Sequence, residues 1–164
     1  MKTMNELLVH FVRDMYYAER QILKALPKMA RAAQAEELKQ ALTEHREQTE
    51  HHVERLQQVF EALGERARGV TCEAIVGLIG EGEEIVQATE PGPVRDAGLI
   101  GCAQAVEHYE IARYGMLLAW AKACGAKEAV GPLEQTLAEE KKADALLNEL
   151  ATRRVNPQAT QRAA

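Results

Sequence analysis

Seven ionisable side chains interrupt the apolar stripes of this chain, and all seven are types that ligate metal ions. With a helix turning about 100° per residue, Glu19 falls on the arc set by Met15, Ile22 and Leu26. His45 and His52, with Thr49 between them, share the arc of Leu38, Leu56 and Leu63, whereas Glu47 points nearly the opposite way. Glu107 and Glu110 fall within the wide apolar arc of Ala103, Val106, Tyr114 and Leu117, and Glu140 and Asp144 stand where core residues belong between Leu137 and Leu147. Depth sharpens the pattern, because side chains meet only at one level of a bundle. Glu19 and Glu110 each lie about 15 residues before the turn that follows them, which sets Glu19 opposite the level of Thr49 and His52 and Glu110 opposite Glu140.

Several carboxylates buried together repel one another, and each desolvated charge costs several kcal/mol. Two divalent cations remove the conflict, and carboxylate plus imidazole ligation at a bundle centre is the chemistry of di-iron and di-manganese sites. The competing reading is that these carboxylates sit on solvated helix faces. Glu19, Glu110 and Glu140 are central in both angle and depth, while Glu107 shares a face with Glu110, and Asp144 with Glu140. His45 is inward but about one turn from the central level, which suits either a ligand or a donor behind one. His52 is better placed in depth, although the run Glu50-His51-His52 also fits a solvated face. His10 and His108 face outward, and Tyr16, Tyr17, Tyr109 and Tyr114 read as packing and hydrogen-bonding residues.

The elements that must position these groups are helices. The 164 residues are 46% hydrophobic, mostly Ala and Leu, so few β-branched residues remain for a sheet. The spacing predicts a first helix from Thr3 to about Gln34, bent at Pro27, and a second from Ala35 to Leu63, stopped by Gly64. A shorter helix is expected from Thr71 to about Thr89, cut off by Glu90-Pro91-Gly92-Pro93. Long helices follow from Val94 to Cys124 and from Ala126 to Ala151. Two tight turns and one long crossover make an all-α, ferritin-like four-helix bundle over residues 1–155, with a polar, frayed tail at 156–164.

Net charge is −5, which repels nucleic-acid phosphates and anionic lipid, and no apolar run reaches the roughly 20 residues a membrane helix needs. Neither nucleic acid nor membrane is an expected partner, and a cytoplasmic protein is expected. Cys72, Cys102 and Cys124 are too dispersed for a disulfide framework or a zinc knuckle and read as small buried residues.

The sequence resembles the YciE/YciF-like stress proteins of the ferritin-like superfamily. The resemblance is carried by Asp14-Met15-Tyr16-Tyr17-Ala18-Glu19 with Gln21, by His45 to Thr49 followed by Glu54-Arg55-Leu56, and by Cys72-Glu73-Ala74 with Gly77-Leu78-Ile79. It continues through Arg95-Asp96-Ala97, Ala103-Gln104, the telling stretch Glu107-His108-Tyr109-Glu110-Ile111-Ala112, Tyr114-Gly115, and Glu139-Glu140-Lys141 with Asp144. It implies a rubrerythrin-like helical fold, a homodimer, expression under stress and a site for two iron ions, without supplying a substrate. The sequence departs from the usual Glu-x-x-His pattern: the second helix offers His45, Gln48, Thr49 and His52, and the last offers Glu140 and Asp144. Two functions are therefore expected to compete. One is a di-metal protein, with iron or manganese, that reduces peroxide or oxygen or handles iron. The other is a non-enzymatic helical module acting through a dimer or a partner. A cage-forming storage protein is a third expectation, for which no shell interface is visible.

Overall fold

The computed structural model describes residues 1–161, which are helical throughout apart from turns and connections. Five helices of 16 residues or more follow one another: α1 (Met4–Ala32), α2 (Glu36–Ala62), α3 (Glu73–Ala88), α4 (Pro93–Ala123) and α5 (Lys127–Leu150). None of the described helices is long and apolar enough to cross a membrane.

Local chemistry sets most of the ends. Thr3 and Glu6 form a reciprocal capping box at the start of α1: Glu6 N–H donates to Thr3 Oγ1 at 3.1 Å, and Thr3 N–H donates to Glu6 Oε2 at 3.3 Å. After α2 and α4 the chain turns through Gly64 (φ 67°) and Gly125 (φ 72°), a left-handed conformation that disfavours any side chain. The N–H groups of Glu65 and Ala126 then reach back to the Phe60 and Ala121 carbonyls at 2.9 Å each. Pro27 lies inside a continuous α1. The start of α2 has no capping side chain of its own. Asp96, 2% exposed in the first turn of α4, supplies one instead by accepting from Gln34 N–H and Ala35 N–H at 2.8 Å each.

The three-residue connections between α1 and α2 and between α4 and α5 force each pair to lie antiparallel. Residues 13, 16 and 19 meet 65, 57 and 52 across the first pair. Across the second, 104 meets 144 and 122 meets 134. The α2 and α5 helices also pack on each other, with Arg55 donating to Thr136 between them, and Glu37 of α2 pairs with Arg154 just beyond the end of α5. The shorter α3 occupies the long connection and lies mainly against α4. Leu8, Met15, Leu38, Leu56, Phe60, Leu99, Tyr114, Leu117 and Leu133 are all less than 2% exposed and form the centre of one core.

The tail corrects an expectation. The chain does not fray at Asn156; it passes through one π-helical turn (Ala151–Val155) into a short helix α6 (Asn156–Thr160). Val155, 2% exposed, and Ala151, 7% exposed, are buried there and hold the segment down. Residues 162–164 of the expected tail lie outside the described residues.

Candidate metal centre

Inside this apolar core six ionisable side chains meet. Glu19 from α1, His45 and His52 from α2, Glu107 and Glu110 from α4, and Glu140 from α5 are each 7% exposed or less. Their ligand atoms fall into two groups, within each of which all atoms lie within 4.8 Å of one another. One group is His45, Glu107, Glu110 and Glu140; the other is Glu19, His52 and Glu140. Glu140 belongs to both.

Each imidazole presents one nitrogen inward and anchors the other. His45 Nε2 lies 3.2 Å from Glu107 Oε1 and 3.8 Å from Glu140 Oε2, while its Nδ1 faces Gln48 Oε1 at 3.4 Å. His52 is reversed. Its Nδ1 lies 2.9 Å from Glu140 Oε1 and 3.6 Å from Glu19 Oε1, and its Nε2 faces Glu139 Oε2 at 3.0 Å. Glu139 is itself gripped by Arg55, whose Nη1 and Nη2 donate to it at 2.7 and 2.9 Å. An Arg–carboxylate–imidazole chain of this kind fixes ring orientation and aims Nδ1 into the cluster. Thr49 Oγ1 donates to the His45 carbonyl at 2.8 Å, and Tyr114 donates its hydroxyl to Glu19 Oε1.

The electrostatics record the crowding. Burial, then the charges of Glu140, Glu19 and Glu107, drive the Glu110 carboxyl well above the ordinary carboxylate range. Burial pushes Glu140 up to about 7, with His52 opposing the shift and Glu19 and Glu107 adding to it. Burial disfavours the imidazolium of both histidines, yet the carboxylates outweigh it. His45 rises to about 9 through Glu107 and Glu140, and His52 to about 11 through Glu19 and Glu140. Glu139 goes the other way: its partial burial is outweighed by the bonds from Arg55, His52 and Gln135, and it falls to about 2.

The test of whether metal suits these residues is hydrogen bonding. Buried polar atoms in folded proteins are almost always paired. In the cluster eight make no well-aligned hydrogen bond, although the two imidazole nitrogens among them lie at ion-pair distance from carboxylates: Glu19 Oε2, His45 Nε2, His52 Nδ1, Glu107 Oε2, and both oxygens of Glu110 and Glu140. All are atoms that a divalent first-row metal accepts as ligands, and the residues that carry them are those of the two groups. The residues present could hold a metal ion.

Asp144, expected on the same face as Glu140, is not brought into either group. Its carboxylate is 23% exposed at the rim, where it accepts from Gln104 Nε2 at 3.2 Å and lies 3.3 Å from His108 Nε2. Four residues turn the helix by about 400°, so Asp144 is rotated some 40° from Glu140 and one turn away, which suffices to carry it out of the cluster. His51 is exposed and faces Glu54, leaving His52 as the inward member of its pair. Sequence reasoning did not single out Glu139 and Arg55 as functional. Their signals were position, Arg55 three residues after His52 and Glu139 beside Glu140, and their place in the stretches Glu54-Arg55-Leu56 and Glu139-Glu140-Lys141 that carry the family resemblance.

A family model described as a domain of unknown function, DUF892, matches residues 3–160. The chain is 43% identical over 164 residues to Protein YciF of Escherichia coli K12, covering 99% of both chains. The crystal structure of the E. coli stress protein YciF superposes with a TM-score of 0.91 at 44% identity, covering 95% of this chain and 99% of that one. YcfI from Rhodopseudomonas palustris, provisionally described as a structural protein, superposes with a TM-score of 0.88 at 51% identity, covering 90% of this chain and 94% of the other.

Proposed function

This chain belongs to the DUF892 family, that of the stress protein YciF, and on that premise we propose that it is a di-metal carboxylate protein. In this reading α1, α2, α4 and α5 form a ferritin-like four-helix bundle with α3 in its crossover, and the metal pair lies at its centre. The observation that carries the reading is the set of eight buried ligand atoms without a well-aligned hydrogen bond, on two groups of residues that share Glu140. One ion would be held by His45, Glu107, Glu110 and Glu140, the other by Glu19, His52 and Glu140. Carboxylate-rich ligation with one imidazole per ion suits iron, and manganese fits the same donors.

A bound pair of this kind supplies redox equivalents and coordination positions for a small oxidant, peroxide or oxygen, or a place to take up iron. The protein's own part is preorganisation. Glu139 and Arg55 fix the His52 ring, Gln48 holds that of His45, and Tyr114 keeps its proton at Glu19 because burial raises its hydroxyl well above its ordinary range. Metal analysis of protein purified from iron-supplemented cells, with the visible spectrum of the oxidised form, tests the proposal. Absence of bound metal together with no iron uptake contradicts it.

The description of YcfI favours a second reading, a structural or partner-binding module in which the cluster serves only stability. An unchanged melting point after verified metal removal supports that alternative. Dimerisation, which the family resemblance implies, is a separate proposal checked by light scattering against the 18.2 kDa of one chain.

A further inference from the structure

A cavity of about 370 Å³ opens between α1, α3 and α4, and Glu107 of the candidate metal centre is among the residues that line it. Ile22, Leu78 and Val106 represent its walls, which are mostly apolar, with Gln87 and Cys102 among them. At the mouth Lys28 and Glu83 pair at 3.1 Å with side chains 62% and 53% exposed, so the entrance carries no net charge from them. Glu107, by contrast, is 3% exposed, and its Oε2 has no hydrogen-bond partner. Glu107 also lines a second cavity of about 90 Å³, walled by Leu42, Leu146 and Leu147 as well as by His45, Gln48 and Lys142, which offers room for little more than water. Glu107 thus borders two cavities, of which only the larger has room for an organic molecule.

We propose that the larger cavity binds a neutral amphiphile, an alkyl chain ending in a hydroxyl or hydroperoxyl group, with its head inward against Glu107. The apolar walls select the chain. An unpaired, buried carboxylate oxygen selects a head that can donate a hydrogen bond. A carboxylate head is rejected, because it would have to leave water for an apolar cavity and could donate no hydrogen bond to the Glu107 oxygen it meets there. The volume corresponds to roughly a dozen water-sized groups, which accommodates a chain of about eight to ten carbons. This deepens the metal-site reading by naming the class of molecule that reaches the site, and it rests on that reading only for the chemistry after binding.

The test is calorimetric titration of metal-free protein, kept in chelator, with 1-hexanol, 1-octanol, 1-decanol and decanoate at pH 8. Affinity should rise up to about fourfold per methylene along the alcohols. Decanoate should bind at least tenfold more weakly than decanol. Val106→Phe should weaken decanol at least tenfold by filling the cavity, and Leu78→Phe, on a different helix, repeats the test if the first variant folds poorly. Metal content measured on the same preparations separates the two claims. Decanol binding to a protein that never takes metal supports the cavity and rejects the di-metal reading. Failure of decanol to bind protein that loads metal normally overturns the cavity proposal alone. Equal affinity for decanoate, indifference to both Phe variants, or occlusion of the mouth by a second copy of the chain also overturns it.

Discussion

Truncating Glu140 to alanine should have opposite consequences with and without metal. In metal-free protein the substitution removes four buried heavy atoms, and large-to-small changes in a core cost about 2–5 kcal/mol. Against this stands the charge itself. Burial, opposed by His52 and reinforced by Glu19 and Glu107, moves the Glu140 carboxyl from 4.5 to about 7, which amounts to about 3 kcal/mol of opposition to its ionised form near neutral pH. His52 is not stranded by the loss, because Glu139 at 3.0 Å and Glu19 at 3.6 Å still face it. The two effects nearly cancel, so the melting point in chelator should move by no more than the few degrees that about 1–2 kcal/mol produces in a domain of this size. With metal at a hundredfold excess over its dissociation constant, each bound ion stabilises wild type by about 2.7 kcal/mol, and two by about 5 kcal/mol, or roughly 10–20 °C. Because Glu140 belongs to both donor groups, Glu140→Ala should forfeit the whole gain. Calorimetric melts of both proteins in chelator and in iron measure the crossover. A variant that is equally destabilised in both conditions, or one that keeps the metal-dependent gain, refutes the reasoning.

Glu139→Gln should weaken metal binding about 10- to 100-fold by loosening the His52 ring and should also lower the metal-free melting point, because it breaks the ion pair with Arg55; competition with a chromophoric chelator reads the affinity. Metal-free protein should lose stability as pH rises, since the folded state holds protons more tightly than the unfolded chain. The Glu140 contribution is complete below 4.5 and lost through about 7, that of His45 is complete below 6.5 and lost through about 9, and that of His52 persists to about 11. Metal displaces these protons, so the melting-point gap between loaded and metal-free protein should widen from about pH 5 to 9; a constant gap contradicts the assignment. Asp96→Ala should cost about 2–4 kcal/mol with and without metal alike, because it strips two charge-assisted bonds from the start of α2; a loss confined to metal-loaded protein would mean that Asp96 acts through the centre.

The helices and most of the cluster were legible because one periodicity governs both. Glu19, Glu107, Glu110 and Glu140 stand in register with Met15, Leu117 and Leu133, so counting turns found the carboxylates as readily as the core. Counting also separated His52 from His51. It failed where the angle from the stripe was intermediate, as for Asp144, since a difference of about 40° decides between core and rim and depends on how neighbouring helices are rotated. It failed again for Glu139 and Arg55, which act through each other across two helices, a relation periodicity within a helix does not encode. The helical continuation through Asn156–Thr160 was missed because its anchors, Ala151 and Val155, are single small residues in a polar stretch.

The most direct test of the central claim is a crystal structure of iron-soaked protein with anomalous data collected at the iron edge. Two anomalous peaks are expected, one among His45, Glu107, Glu110 and Glu140 and one among Glu19, His52 and Glu140, with a Glu140 oxygen coordinating each. Ordered side chains in these same positions with no anomalous density between them would contradict the account.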